Sequence, residues 1–350
     1  MVDDNPDESQ LVARIGDLVS RQLLALAPAD RLLLVVDDAG WAENGDIAES
    51  IIAVAREAGA ETVLARMDNA PIGPDGQRVE YLPESVAAAM AHVTALVSLT
   101  RTTSAPLPHH HVPIGLIRQR KLRGVFMVKR TRADLLGESV LGVDFEFMRR
   151  VTAAWTTAFG DGSEVHVTNA AGTDLRASIE GVTSHCSAFA HEAGVMSPIN
   201  WGEVYQGPRV GTTEGRVVVD GPILGYGWPE EPVTIEIERG LAVAMDGPAA
   251  VVDPLWRLIR NVENGSNIAE IAVGINPRAN DRSSVNVYKK GLGRLHVGLG
   301  NGLVYDQGID SEIHIDFVLP TPTVTIDGQA IIVDGRATDP SLTMEAAARS

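Results

Sequence analysis

Two short stretches in the C-terminal half place side chains where they could do chemistry. In "SEIHIDFVLPTPTVTIDG" (311–328), His314 and Asp316 stand two residues apart between Ile313, Ile315 and Phe317. Strand side chains two apart share a face, so an imidazole and a carboxylate would line one side and apolar groups the other. "NIAEIAVGINPRAN" (267–280) sets Glu270 inside an apolar run, and "GLGRLHVGLGNGLVYD" (291–306) adds His296 and Tyr305. Glu203 lies upstream in "SPINWGEVYQGP" (197–208). A buried carboxylate needs a partner. One divalent cation would compensate several at once, and mixed carboxylate and imidazole donors suit zinc, manganese, cobalt or iron(II). The plainer alternatives are a salt bridge from Glu270 to Arg278 or Arg282, and an ordinary core role for His296. Arg278, Lys289, Lys290 and Arg294 could instead form a local basic pocket for a small acid.

The other histidines are less informative. His109, His110 and His111 stand together in "APLPHHHVPIGL" (105–116), just past the apolar run "ALVSLT", and adjacent residues cannot all face one site. His185, Cys186 and His191 precede the Glu203 segment, while His92 and His166 sit in ordinary helix and strand contexts.

The elements that must position these groups fall into two textures. Up to about residue 160, apolar runs such as "RLLLVVDD" (31–38), "ETVLARM", "ALVSLT" and "GVFMVK" (124–129) alternate with helical patterns over 8–26, 46–59 and 83–93 and with a helix ending near Trp155. That alternation implies a parallel sheet covered on both faces. No G-x-G-x-x-G follows the first strand and no Walker pattern occurs, so nucleotide binding is unsupported. Beyond residue 160, alternating segments are punctuated by Asp-Gly and Arg-Gly turns, with one helix near 250–262. The expected fold is α/β: a Rossmann-like α/β domain over 1–160, then a mainly antiparallel β (α+β) domain over 161–350 that carries the metal site.

Composition narrows the class. With 350 residues, 45% of them hydrophobic, there is material for two domains. No apolar run approaches the roughly 18 residues of a membrane span. The acidic start "MVDDNPDESQ" is not a signal peptide, and a single cysteine fits a reducing cytoplasm. A net charge of −17 with scattered basic residues argues against nucleic acid. The one basic run, "RQRKLR" (118–123), reads as a solvated helix end before a strand.

The order Asn-x-x-Glu (267–270), His-x-x-x-Gly (296–300) and His-x-Asp (314–316) followed by "PTPTVTIDG" resembles the thermophilic aminopeptidase family of metallopeptidases. The same segments are similar to 2,5-dihydroxypyridine 5,6-dioxygenase, an iron(II) ring-cleaving enzyme. The likeness is best over about 195–335. The aminopeptidase resemblance implies two metal ions on Glu203, Glu270, His296, Tyr305, His314 and Asp316. It departs at Gly202, where that family has a second glutamate before the one matching Glu203. The dioxygenase resemblance implies one iron on two histidines and an aspartate. The first of those histidines falls where this chain has Glu270, within a shared G-x-x-P-R-A pattern, and a first-domain acid/base histidine falls near His111.

The retained carboxylates lean to the hydrolase. The expectation is therefore a metal-dependent hydrolase of an amide or peptide-like bond, with His111 and Tyr305 as catalytic groups and one or two divalent ions per chain. The substrate would be a small molecule or short peptide, and the family resemblance implies a homodimer. The alternative is a mononuclear iron(II) dioxygenase of a small aromatic ring such as a dihydroxypyridine. A third possibility is a catalytically idle descendant that keeps only a ligand or metal.

Overall fold

The computed structural model describes residues 7–73, 81–103, 111–186, 189–199 and 202–339. The chain runs α1 (Glu8–Asp17), β1 (Arg31–Asp37), α2 (Asp38–Glu57), β2 (Glu61–Met67), α3 (Glu84–Met90), β3 (Ala95–Ser98), α4 (His111–Arg118), β4 (Arg123–Phe126), α5 (Arg132–Leu136) and α6 (Glu138–Leu141). It continues with α7 (Phe145–Gly160), β5 (Glu164–Thr168), β6 (Asp174–Ser178), β7 (His185–Cys186), β8 (Met196–Pro198) and β9 (Glu203–Gln206). Then follow β10 (Glu214–Val219), β11 (Val233–Glu238), β12 (Leu241–Asp246), α8 (Ala249–Asn261), β13 (Ile268–Gly274), α9 (Val285–Tyr288) and β14 (Leu295–Gly300). The last strands are β15 (His314–Leu319), β16 (Thr323–Ile326), β17 (Gln329–Val333) and β18 (Arg336–Ala337). Two compact units result, each built from two stretches of chain: Met1–Gly142 with Ser187–Trp201, and Val143–Cys186 with Gly202–Ser350.

The first unit holds a parallel sheet in the order β2-β1-β3-β4-β8. Its inner strands β1, β3 and β4 are apolar and buried because both faces are covered, whereas the edge strand β2 is largely exposed. Leu33 and Val35 of β1 pack with Leu96, Phe126, Met90 and Ile117 on one side. Alternation along the strand turns Leu32, Leu34 and Val36 to the other side. The helix expected over 46–59 begins earlier, at Asp38, and bends at Asn44, where the backbone leaves helical values (φ −134°, ψ 23°). The helix expected over 8–26 divides into α1 and a π-helical turn, Leu18–Leu23.

Asp37 closes β1 and ties three segments together. Its buried carboxylate accepts the Gly40 N–H at 2.8 Å, capping α2. It also accepts the Arg101 and Thr102 N–H groups and the Thr102 hydroxyl (2.6 Å) from the segment that follows β3.

The second unit contains two antiparallel sheets, β12-β11-β10-β6-β5-β16-β17-β18 and β15-β14-β13-β9-β7. Turn chemistry sets its hairpins. Arg239-Gly240 and Asp327-Gly328 have positive φ at both residues, as a two-residue turn matched to strand twist requires. In the five-stranded sheet, β13, β14 and β15 are almost wholly buried. Helix α7 packs on β9 and β7. Among the described residues no helix is long and apolar enough to cross a membrane.

Asp37→Ala strips four donors of one acceptor. It is expected to cost about 3 kcal/mol by denaturant titration, because buried backbone N–H groups of two segments would be left unpaired.

Candidate metal centre

The register of the five-stranded sheet brings the separated motifs together. Residues directly opposite each other in an antiparallel pair share a face. Gly274 lies opposite Glu203, Ala272 opposite both Tyr205 and His296, and Glu270 opposite Gly298. Gly298 in turn faces Asp316, and Gly300 faces His314. One face of four strands therefore carries Glu203, Glu270, His296, His314 and Asp316. Small residues fill the positions between them. The other face carries Val204, Ile271, Val273, Val297, Leu299, Ile315 and Phe317, all buried. A register shift between Ile268 and Glu270 marks a bulge that re-aims the glutamate.

The small residues are a steric requirement. A Cβ on Gly298 would lie 2.8 and 2.9 Å from His314 Cε1 and Nε2 and 3.0 Å from Glu270 Cβ. A Cβ on Gly274 would meet the Lys290 carbonyl carbon at 2.5 Å, so this glycine admits the 289–291 backbone to the site.

The side chains meet in two groups that share Glu270. Ligand-type atoms of Glu270, His314 and Asp316 lie within 4.8 Å of one another, and so do those of Glu203, Glu270 and His296. His314 Nε2 is 3.0 Å from Glu270 Oε2 and 3.2 Å from Asp316 Oδ1. Its Nδ1 is 3.1 Å from the Asn301 carbonyl, which can only accept. In the neutral ring that contact keeps the proton on Nδ1 and leaves the inward Nε2 for a cation, the orientation of a metal-binding imidazole; with no cation bound, Nε2 carries a proton between the two carboxylates. Asp316 Oδ1 is buried and faces His314 Nε2. The donor set and this buried carboxylate oxygen fit a divalent cation held by Glu270, His314 and Asp316.

Tyr305 arrives on a 3-10 turn, Leu303–Tyr305. Its hydroxyl donates to Glu270 Oε2 at 2.9 Å and lies 3.2 Å from His314 Nε2. The ring stacks on His314, and Tyr205 meets it edge-on. Burial, with Glu270 next, pushes the Tyr305 phenol well above its usual range, so it stays protonated.

Two cations absent from the expected set also enter. Lys289 Nζ donates to Asp316 Oδ2 at 2.6 Å and lies 3.4 Å from His296 Nε2. Lys290 Nζ is ion-paired with Glu203 Oε1. These lysines face carboxylates of the protein, while Arg294 is engaged with the Ala279 and Tyr288 carbonyls and the Tyr288 ring. One signal in the sequence pointed to them: they are the only lysines beyond residue 129.

Burial opposes charge on every member of the cluster, and the neighbours decide the outcome. Against burial, His296 and His314 hold Glu270 well below the usual carboxylate range, and Lys289 and His314 do the same for Asp316. Lys290 and Lys289 lower Glu203 despite its burial. Burial lowers Lys290 to about 8 even beside Glu203. Burial would lower His314, but Asp316 and Glu270 outweigh it and raise the ring to about 10.

The other described histidines of the second unit have partners of their own. His185 stacks on Tyr205 and pairs with Asp306 at 3.1 Å, and Cys186 Sγ contacts the Thr152 hydroxyl. His166 pairs with Asp174 on the β5–β6 hairpin. In the first unit, His191 meets the Gln22 carbonyl. His111 opens α4 in that unit, and His109 and His110 lie outside the described residues.

A model of the NicX family, 2,5-dihydroxypyridine 5,6-dioxygenase, matches residues 44–339. The chain belongs to that family. Among solved structures, the 2,5-dihydroxypyridine dioxygenase of Pseudomonas putida KT2440 is similar, with a TM-score of 0.80 and 16% identity over 97% of this chain and 100% of that one. Wild-type AmpT of Thermus thermophilus is similar with a TM-score of 0.70 and 16% identity, over 95% of this chain and 100% of that one. At these identities the likeness shows the fold: both relatives share the α/β unit and the β-rich unit. No curated protein sequence matches the chain. The fold and both resemblances expected from the sequence are thus borne out. The family match favours the ring-cleaving alternative over the hydrolase.

Gly298→Val is expected to weaken binding of Co(II) at least 100-fold by calorimetry, since its side chain would displace the His314 ring and Glu270. In the metal-free protein, the His314 pKa rises on folding from 6.5 to about 10. Its stabilising contribution is complete below pH 6.5 and lost as pH rises to about 10. Thermal melts of the metal-free protein should fall from pH 6.5 to about 8, above which proton release from Lys290 offsets the loss, while cation affinity climbs as the competing proton leaves.

Proposed function

We propose that this chain is a mononuclear metal-dependent dioxygenase of a small electron-rich aromatic ring of the dihydroxypyridine class. Glu270, His314 and Asp316 would hold one divalent cation, Fe(II) for this chemistry. The observation that carries the reading is the inward Nε2 of His314 between two buried carboxylates, within a chain that belongs to a ring-cleaving family. A bound Fe(II) with open positions would supply binding and activation of dioxygen next to a chelating substrate.

The protein's own groups have separable tasks. Asn301 fixes the tautomer and plane of His314. The Tyr305 hydroxyl holds a proton against Glu270 and His314, where it can be donated to an oxygen that gains negative charge. Lys289 and Lys290 hold Asp316 and Glu203 in place. The site departs from the dioxygenase pattern in offering one histidine and two carboxylates, with Glu270 at the position of the first histidine.

A hydrolase of an amide or peptide-like bond is the second reading. It is favoured by one observation, that Glu270 is common to both donor groups, as a bridging ligand of two ions about 3.5–4 Å apart would be.

Anaerobic loading with Fe(II), then oxygen-electrode assays with 2,5-dihydroxypyridine and related dihydroxylated rings, tests the proposal. One dioxygen should be consumed per ring opened, and chelation should abolish uptake. His314→Ala should reduce turnover by more than about 100-fold, beyond the usual loss from an outer-shell change. Chelator-sensitive cleavage of an aminoacyl anilide without oxygen, and no ring opening, would overturn the dioxygenase reading in favour of the hydrolase.

A further inference from the structure

Glu203, Glu270 and His296 have the donor types and proximity of a second cation site. Lys289 already stands in it. Its Nζ lies 3.4 Å from His296 Nε2, 4.0 Å from Glu203 Oε2 and 2.6 Å from Asp316 Oδ2. The ring nitrogen that a second ion would need, His296 Nε2, thus has the Lys289 amino group beside it. Lys290 Nζ is paired with Oε1 of Glu203. Both lysines are buried, with side chains 10% and 3% exposed, so they cannot swing to solvent without crossing packed protein.

Their backbone is anchored as well. Lys289 and Lys290 close the turn of α9 through N–H donation to the Val285 and Val287 carbonyls. The Lys290 carbonyl accepts the Asn276 N–H at 2.9 Å, and Gly274 lets the strand come that close.

We infer that Lys289 and Lys290 take the place of a second metal ion, restricting this centre to one divalent cation at Glu270, His314 and Asp316. The inference rests on the proposed one-metal reading and specifies what enforces it. Three carboxylates and two ammonium groups leave a single negative charge when the histidines are neutral. One divalent ion turns that into a single positive charge, whereas two would leave three positive charges in a buried site, where uncompensated charge is costly.

The test is titration of metal-free protein with Co(II) alone, followed by calorimetry and by elemental analysis after desalting. The wild type should bind one equivalent even at tenfold excess, and Asp316→Asn should lose it. Lys289→Met/Lys290→Met should bind a second equivalent at least 10-fold more tightly than the wild type does, with a larger rise in Tm on Co(II) addition. Should that variant fail to fold, Lys289→Met alone frees His296 Nε2 and is read in the same way. Glu203→Gln/Lys290→Met removes the ion pair as a unit and should stay at one equivalent. Two tight equivalents in the wild type, or one equivalent of unchanged affinity in every lysine variant, overturns the inference. Binding of one equivalent without ring opening would sink the dioxygenase reading and leave the lysine assignment standing. Absence of any bound ion would sink both.

Discussion

The second unit is organised around the cost of burying carboxylates. Glu203, Glu270 and Asp316 are each 5% exposed or less, on a sheet whose opposite face is apolar. An uncompensated ion there is prohibitive. The sheet solves the problem largely by crossing: each strand's acid is met by a group from another element, and Asp316 also by His314 of its own strand. Asp316 on β15 is met by Lys289 beyond α9, Glu270 on β13 by His314 on β15 and Tyr305 on a turn, and Glu203 on β9 by Lys290. Neither β9 nor β13 supplies the partner of its own acid. The fold and the site are therefore formed together.

The same arrangement explains why glycine recurs where side chains would otherwise be expected. A cluster of large polar groups on adjacent strands needs room over the strand that lies between them. Gly298 stands between Glu270 and Asp316 in the register and leaves the space that the His314 ring occupies. Glycine in a strand interior is conformationally costly. Here the cost goes with access of an imidazole to two carboxylates.

Much of this was legible in the sequence, for physical reasons. Period-two alternation put His314 and Asp316 on one face, and an apolar frame marked Glu270 as a buried charge in need of a partner. Turn pairs such as Asp327-Gly328 have a narrow conformational meaning, so the hairpins could be read directly. What escaped depends on distance in three dimensions. Lys289 and Lys290 follow a short helix and look like part of a local basic pocket for a small acid until the tight backbone approach at Gly274 is known. Arg278 and Arg282 were reasonable partners for Glu270 on sequence proximity, yet the groups that reach it are His314, His296 and Tyr305. Helix α2 begins at Asp38 rather than near 46 because Asp37 caps it and its backbone tolerates a bend at Asn44.

The path of the chain between the units has a further consequence. The polypeptide leaves the first unit after Gly142, lays down α7 and the β5–β6 hairpin, returns for β8, and departs again at Gly202, immediately before Glu203. Neither unit can be excised as one uninterrupted fragment. On a ribosome, the edge strand β8 emerges only after part of the other unit has been synthesised, so the parallel sheet is finished late and Glu203 is the next described side chain of its neighbour's site to be delivered. Circular permutation or insertion at these crossings would separate sheet completion from the arrival of that carboxylate.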